Sequence, residues 1–227
     1  MKYTWLLFDA DSTLFDYDKA EALALQATFE QLGYAFDPAY LDEFRLINVR
    51  MFHLYAQGAI TTNQVRYDRF EQLSSIIGIP LDCAAFGDGH ISNMAGGTYL
   101  IDGAQDVISA LAKKAKLAII TNALVDVCKP RLAKSELVSY FSDIVSAEEI
   151  GVSKPHAGFF EQALGRIGNP PKEEVLVIGD NLISDIKGGH EFGMDTCWFN
   201  PQRLPHDYDG MITYEINHLS ELLDILK

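Results

Sequence analysis

Short apolar runs that lack the alternation of a half-exposed strand are the feature that most constrains this fold. They lie at residues 5–8, 117–120, 144–145, 175–178 and 196–199. Such runs are typical of parallel strands that are covered by helices on both faces. After Gly103, helical patterns separate these runs. The first pattern ends at Lys114, and the others span residues 125–134, 157–167 and 184–192. The sequence therefore predicts a doubly wound α/β core with a parallel sheet.

Residues 17–99 interrupt this pattern, because they contain no convincing strand. Helical patterns cover residues 17–32, Pro38 to Tyr55, 62–77 and 81–94, with breaks at Gly33, Gly58 and residues 78–80. Glycine and proline at such breaks end helices. Thr62 is predicted to be one N-cap, and Asp37 another, with Pro38 at the first helical position. We therefore predict an all-helical insertion at 17–99 and an α/β core made of residues 1–16 and 100–227.

Composition limits the classes of partner and the compartment. The net charge of −14 argues against a nucleic-acid polymer as partner, because that affinity needs Lys and Arg. The apolar run at the start is shorter than a signal-peptide core, and no stretch reaches the ~20 apolar residues of a membrane span. Cys83, Cys128 and Cys197 form no Cys-x-x-Cys pair, which favours a reducing compartment. We expect a soluble cytoplasmic protein without a membrane partner.

Polar clusters lie just past three predicted strands and before one predicted helix. They are Asp9 and Asp11, Thr121 and Asn122, Asp180 with Asp185, and Lys154. Each cluster by itself is an ordinary turn or helix start. In a parallel sheet, however, the carboxyl ends of the strands gather at one edge, where ligands of α/β proteins bind. The combination therefore predicts one crevice that contains all four clusters.

The charges of this crevice favour a bound cation. Two carboxylates 4 Å apart repel by about 4 kcal/mol at an effective dielectric near 20, and the crevice holds four carboxylates and one lysine. Either some carboxyls keep their protons or a cation binds. Oxygen ligands favour a hard ion, and Mg²⁺ takes one or two carboxylates together with substrate phosphate. His53, His90 and His190 lack the spacing of a zinc site.

The motifs Asp9-x-Asp11-x-Thr13, Thr121, Lys154 and Gly179-Asp180 with Asp185 resemble those of the haloacid dehalogenase superfamily of phosphatases. The resemblance spans essentially the whole chain. It implies a Rossmann-like core, and it implies that residues 17–99 are the helical cap domain of that superfamily. It also implies that the substrate is a small phosphorylated metabolite and that Mg²⁺ is the cofactor.

The resemblance further implies the role of each site residue. Asp9 is the nucleophile that forms an aspartyl-phosphate, and Asp11 is the general acid and then the general base, with a backbone carbonyl that helps to bind Mg²⁺. Phosphate oxygens are held by Thr121 and by the backbone from Asn122 onward, while Lys154 offsets negative charge. Asp180 ligates the metal directly, and Asp9 is also assigned to the metal site. Asp185 orients Lys154 or a metal-bound water, and direct ligation by Asp185 stays open.

One residue separates two branches of the superfamily. Dehalogenases resemble this pattern with a tyrosine at the position of Asp11, since a departing halide needs no proton. Asp11 therefore favours hydrolysis of an ester over dehalogenation. Mutases also carry this aspartate and remain an alternative.

A narrower resemblance concerns the substrate. Trp5-x-x-Phe8-Asp9-Ala10-Asp11, together with Asn48, Tyr55-x-x-Gly58-x-Ile60 and Arg69-Phe70, resembles helical-cap nucleotidases that act on pyrimidine nucleoside monophosphates, including noncanonical ones. Ser12 and Ala123 depart from that subgroup, which usually has Glu and Gly there. The resemblance implies that Asn48 or Arg69 binds an edge of the base.

Other functions remain open at the level of the sequence. They are a sugar-phosphate or phosphoglycolate phosphatase, a phosphomutase, and a catalytically silent binding protein. We expect a monomer or a weak homodimer.

Overall fold

A parallel sheet forms the centre of the molecule in the computed structural model, which describes residues 2–227. Within these residues, six strands form one sheet in the order β3-β2-β1-β4-β5-β6, and all neighbours are parallel. The strands are β1 (Trp5–Phe8), β2 (Lys116–Thr121), β3 (Phe141–Ser146), β4 (Val175–Gly179), β5 (Asp195–Phe199) and β6 (Tyr214–Ile216). The predicted α/β fold with a doubly wound parallel sheet is confirmed. Met1, which the predicted core segment 1–16 includes, lies outside the described residues.

The register of the sheet brings the ends of three strands to the same level. In the centre of the sheet, Phe8 of β1 lies beside Ile119 of β2 and Ile178 of β4. The chain leaves all three strands at the same edge, so the residues that follow them share one crevice. This register explains why residues far apart in the sequence form one site.

Helices cover both faces of the sheet. In the core they are α5 (Ala104–Leu111), α6 (Val125–Lys134), α7 (Ala147–Ile150), α8 (Ala157–Arg166), α9 (Gly188–Phe192) and α10 (Leu222–Ile225). Successive side chains of a strand point to opposite faces. Leu6 and Phe8 accordingly pack with α5 and α10, whereas Trp5 and Leu7 pack with α8.

The segment between β1 and α5 is helical, with α1 (Tyr17–Gln31), α2 (Ala39–Ala56), α3 (Thr62–Ile77) and α4 (Cys83–Gly96). These helices surround an aromatic core that contains Phe29, Phe44, Phe70 and Phe86. They also contact α6, through a smaller apolar cluster that includes Ile91 and Val127. Treating residues 17–99 as a separate domain remains a prediction.

Two predicted helix caps are wrong by one residue. Thr61, not Thr62, is the N-cap of α3, where its side chain accepts from the Gln64 backbone and the Gln64 side chain accepts from the Thr61 backbone. This reciprocal pair satisfies two backbone donors. Pro38, not Asp37, holds the N-cap position of α2, although Asp37 Oδ1 still accepts from Ala39 N at 2.9 Å.

Other differences lie at the ends of the core elements. The predicted helix at 184–192 begins earlier, with a π-helical stretch over Leu182–Lys187 that continues into α9. The short strand β6 was not predicted, because three residues are too few to show a pattern. Among residues 2–227, no helix is both long and apolar enough to span a membrane.

Candidate active site

Asp9 lies at the carboxyl end of β1 and faces the crevice predicted from the sequence. Its backbone N–H donates to Ile178 O of the neighbouring strand at 2.8 Å, which fixes the residue at the sheet edge. Lys154 Nζ donates to Asp9 Oδ1 at 2.6 Å, to Asp185 Oδ1 at 2.6 Å and to Ile120 O at 2.8 Å. The lysine side chain is only 1% exposed. Its ammonium group is therefore fully hydrogen-bonded and fixed beside the predicted nucleophile.

The carboxylates of Asp9, Asp180 and Asp185 form one cluster, with oxygen atoms that lie within 4.8 Å of one another. Asp185 is fully buried, and its Oδ2 also accepts from Asn181 N at 3.2 Å. Thr13 Oγ1 donates to Asp180 Oδ1 at 3.2 Å. The structure thus brings together the three predicted acidic groups that come from β1 and the segment after β4.

The cluster carries more negative charge than Lys154 neutralises. Burial raises the pKa of Asp9 well above its usual range, Lys154 opposes this, and the charges of Asp185 and Asp180 add to it. Burial and the neighbouring Asp185 raise the pKa of Asp180 to about 7. Burial lowers the pKa of Lys154, but Asp185 and Asp9 outweigh it and raise that pKa above its ordinary value. Close oxygen donors with surplus negative charge fit Mg²⁺.

The backbone after β4 is shaped to hold this cluster. At Gly179 an added Cβ would lie 2.3 Å from Asp185 Oδ2, so a side chain there would displace the Asp185 carboxylate. Trp198 Nε1 donates to Asp180 O at 2.8 Å from the neighbouring strand β5. The Asn181 side chain caps the helical turn that carries Asp185. These contacts fix both carboxylates relative to the sheet.

Thr121 and Asn122 lie at the end of β2, as the sequence predicts. Thr121 is buried, and its Oγ1 accepts from Ala123 N at 3.0 Å. Asn122 holds the backbone of Lys154 at two points, because its Nδ2 donates to Lys154 O at 3.0 Å and its Oδ1 accepts from Lys154 N at 2.9 Å. In this arrangement, the Asn122 side chain positions Lys154, while its role toward a phosphate remains a prediction.

Asp11 lies in the turn that follows β1, and its side chain is one-quarter exposed. Ser12 adopts a left-handed backbone conformation with a φ of 59°, and Asp11 forms a bridge with Phe15 across the turn. Arg131 Nη2 donates to Asp11 Oδ1 at 2.5 Å. Sequence reasoning missed Arg131, although a signal exists: Arg131 falls on the same helical face as the apolar residues Val127 and Cys128.

The predicted substrate residues Asn48 and Arg69 lie in the helical segment, and both are buried. Arg69 Nη1 donates to Asn48 Oδ1 at 3.0 Å, and Asn48 Nδ2 donates to Tyr17 Oη at 2.6 Å and to Glu21 Oε1 at 2.8 Å. Burial lowers the pKa of Arg69 to about 10. Burial raises the pKa of Tyr17, and the charges of Glu21 and Asp11 add to the rise. The network therefore extends toward Asp11, but binding of a base by Asn48 or Arg69 stays a prediction.

Known proteins resemble this chain along its whole length. The HAD-hydrolase YfnB of Bacillus subtilis (strain 168) is 37% identical over 226 residues, covering 100% of this chain and 96% of the relative. Pyrimidine 5'-nucleotidase YjjG of Escherichia coli (strain K12) is 33% identical, covering 100% and 99%. Pyrimidine 5'-nucleotidase PynA of Streptococcus pneumoniae (strain R6) is 34% identical, covering 100% and 96%.

A solved structure also matches the fold closely. The crystal structure of YfnB bound to magnesium superposes with a TM-score of 0.91 at 36% identity, covering 100% of both chains. The haloacid dehalogenase-like hydrolase family matches residues 6–199, which contain every carboxylate and lysine of the site. The arrangement of these groups at the edge of a parallel sheet agrees with the match. We conclude that this chain belongs to the haloacid dehalogenase-like hydrolase family.

Proposed function

We propose that this chain is a Mg²⁺-dependent phosphomonoester hydrolase in which Asp9 forms an aspartyl-phosphate. The observation that carries the proposal is the position of the Lys154 ammonium, 2.6 Å from both Asp9 and Asp185 at the sheet edge. A buried lysine beside a carboxylate favours its ionised form against the effect of burial and orients it for attack. The same ammonium offsets the charge of an incoming phosphate.

Asp9 and Asp180 would hold Mg²⁺ together with the backbone carbonyl of Asp11, while Asp185 keeps Lys154 in place. Bound there, Mg²⁺ supplies positive charge that neutralises the phosphate oxygens and the attacking carboxylate. The crowding of the three carboxylates supports this assignment, because without a cation burial and the neighbouring negative charges raise the pKa of Asp9 and of Asp180. Direct ligation by Asp185 is less favoured, since both its oxygens already accept hydrogen bonds.

In the first step, a carboxylate oxygen of Asp9 attacks phosphorus in line with the ester bond. The bond from Asp9 to phosphorus forms, the bond to the leaving oxygen breaks, and Asp11 transfers a proton to that oxygen. The released alcohol is therefore neutral. Lys154 and the backbone N–H groups that follow Thr121 stabilise the charge on the equatorial phosphate oxygens.

In the second step, water attacks the phosphorus of the aspartyl-phosphate. Asp11 is now a carboxylate, and it accepts a proton from the water. The bond between Asp9 and phosphorus breaks, which releases inorganic phosphate and regenerates both aspartates. The nucleophile and the proton-transferring carboxyl thus have different surroundings, since Asp9 contacts Lys154 whereas Asp11 contacts Arg131.

We further propose that the substrates are pyrimidine nucleoside monophosphates, including noncanonical ones. Two full-length relatives are named pyrimidine 5'-nucleotidases, which supports this class. The helical segment 17–99 would act as the cap that selects the leaving group. Asn48 and Arg69 are our candidates for contact with the base, directly or through Tyr17, which their network reaches.

The hydrolase proposal is tested by turnover of p-nitrophenyl phosphate with Mg²⁺ and with EDTA. We expect turnover with Mg²⁺, loss of turnover in EDTA, and loss in Asp9→Asn. The matched control is Asp224→Asn, since the Asp224 side chain is about three-quarters exposed and pairs with Lys227 at the chain end. Undiminished turnover in Asp9→Asn would refute the proposal.

The substrate class needs a separate test. Uridine and thymidine monophosphates are compared by kcat/KM with purine monophosphates, glycolate phosphate and sugar phosphates. We expect the pyrimidine nucleotides to be the better substrates. Equal or better hydrolysis of glycolate phosphate would remove the nucleotidase assignment while leaving the phosphatase intact.

A further inference from the structure

A fully buried arginine lies beneath the turn that carries Asp11. Arg131 is on α6, the helix that follows Thr121 and Asn122, and its side chain is 0% exposed. Nη2 donates to Asp11 Oδ1 at 2.5 Å, and the guanidinium carbon lies 4.6 Å from the centroid of the Phe15 ring. Arg131 therefore contacts both ends of the short bridge between Asp11 and Phe15.

The hydrogen bonding of this guanidinium is incomplete. Within residues 2–227, Nε and Nη1 of Arg131 have no hydrogen-bond partner, although both atoms are buried. Buried donors without partners destabilise a fold, and apolar residues of similar volume often stabilise it more than a buried ion pair does. Arg131 is thus poorly explained as a stabilising residue. Among residues 2–227, its one ion pair is with the carboxyl to which we assign proton transfer.

We propose that Arg131 is a positioning residue that holds Asp11 for proton transfer to the leaving group. This inference rests on the proposed function, because it requires Asp11 to act as the general acid. Arg131 contacts Oδ1, and Oδ2 of Asp11 has no hydrogen-bond partner in the described part of the chain. The contact to Oδ1 fixes the carboxyl, so that Oδ2 carries the proton to the leaving oxygen.

The O–H bond at Asp11 Oδ2 breaks and an O–H bond forms on the leaving oxygen as its bond to phosphorus breaks. Asp11 is left as a carboxylate paired with the charged Arg131. A group that must donate a proton at one position and then accept one at the same position benefits from a fixed orientation. The Phe15 ring and the buried face of α6 restrict the guanidinium in turn.

The test uses two substrates of nearly equal shape, p-nitrophenyl phosphate and phenyl phosphate. Nitrophenolate is a good leaving group that needs little protonation, whereas the more basic phenolate needs a proton. The measured quantity is kcat/KM, because it reports the steps up to departure of the leaving group and excludes later hydrolysis of the aspartyl-phosphate. For Arg131→Met, we expect the loss in kcat/KM to be at least about tenfold larger for phenyl phosphate than for p-nitrophenyl phosphate.

Two further variants separate positioning from general damage to the fold. Arg131→Lys keeps a charged donor, so it should recover part of the loss on phenyl phosphate. Leu132→Ala is the matched control, because Leu132 is the next buried residue of α6 and packs in the main core. Leu132→Ala should lower stability without changing the ratio of the kcat/KM values for the two substrates. If Arg131→Met does not fold, Arg131→Lys and Arg131→Gln carry the same comparison.

Asp11→Asn and the double variant with Arg131→Met complete the test. If Arg131 acts through Asp11, the double variant should be no more selective against phenyl phosphate than Asp11→Asn alone. Equal losses on both substrates, or additive effects in the double variant, would overturn the inference and leave the hydrolase intact. A parent protein that hydrolyses neither ester would instead overturn the proposed function, and this inference with it.

Discussion

Replacing Lys154 by methionine removes the ammonium between Asp9 and Asp185 and keeps a side chain of similar volume. The three acceptors that lose their donor are Asp9 Oδ1, Asp185 Oδ1 and Ile120 O. Asp185 is fully buried, so water cannot replace the lost contact without opening the structure. We expect Lys154→Met to destabilise the metal-free protein strongly.

The distances of the two Lys154 ion pairs determine the size of the expected loss in stability. At 2.6 Å, each ion pair contributes about 6 kcal/mol of Coulomb attraction at an effective dielectric of about 20, and the desolvation of the buried groups offsets much of this. Breaking a buried pair by removing one partner typically lowers the free energy of unfolding by about 3–5 kcal/mol. That loss is a large part of the stability of an ordinary domain.

The assay is urea unfolding of the parent and of Lys154→Met in EDTA, at pH 5 and at pH 8. The loss should be larger at pH 8, because the unpaired carboxyls can take up protons at pH 5. Lys129→Met is the control, since Lys129 is partly exposed and its pair with Glu149 lies at the surface. Such a pair contributes about 0–1 kcal/mol.

A second variant decides whether charge is the cause. Lys154→Met combined with Asp185→Asn removes both the cation and one buried carboxylate, so part of the lost stability should return. Two results would refute the reasoning. They are a loss below about 1 kcal/mol at pH 8, within the range of a surface pair, and no recovery in the double variant.

Gly179→Ala should lower kcat by about a hundredfold, since the new methyl would lie 2.3 Å from Asp185 Oδ2 and displace it; unchanged turnover of p-nitrophenyl phosphate would contradict this. In EDTA, the free energy of unfolding should fall as pH rises from about 4 to about 7, by up to about 4 kcal/mol, because folding raises the pKa of Asp180 from 3.8 to about 7. Saturating Mg²⁺ should remove this slope in urea titrations, and a slope that survives would speak against Asp180 as a ligand. Asn122→Ala should cost about 1–3 kcal/mol in thermal unfolding and lower kcat, because Lys154 loses two backbone contacts; an unchanged midpoint would argue against this role.

The sheet was predictable because its strands are buried on both faces. Continuous apolar runs identified β1, β2, β4 and β5, whereas only residues 144 and 145 of β3 stood out. The outer part of β3 is less buried, so Ser142 and Asp143 interrupt its apolar pattern. Short edge strands such as β6 take their structure from the neighbouring strand, and the pairing of Cys197 with Tyr214 is not visible in local sequence.

Site residues that belong to a sequence motif could be predicted. Residues that reach the site only through the packing of the folded chain were missed. Asp9, Lys154 and Asp180 each follow a strand or precede a helix, and the register of the sheet brings them together. Arg131 lies 120 residues from Asp11, and a basic residue in a helix ordinarily faces solvent. Asn122 was assigned to the correct loop, but its side-chain contact with Lys154 joins two loops that lie 32 residues apart in the sequence.

The hydrogen bond from the Trp198 indole to the backbone of Asp180 makes Trp198 an intrinsic fluorescent probe of the site. The chain has two tryptophans, and the other, Trp5, lies at the opposite end of β1 from the crevice. Indole emission responds to charge and hydrogen bonding near the ring. Intrinsic fluorescence should therefore follow divalent-cation titrations without an added dye, and a Trp5→Phe variant would isolate the signal of Trp198.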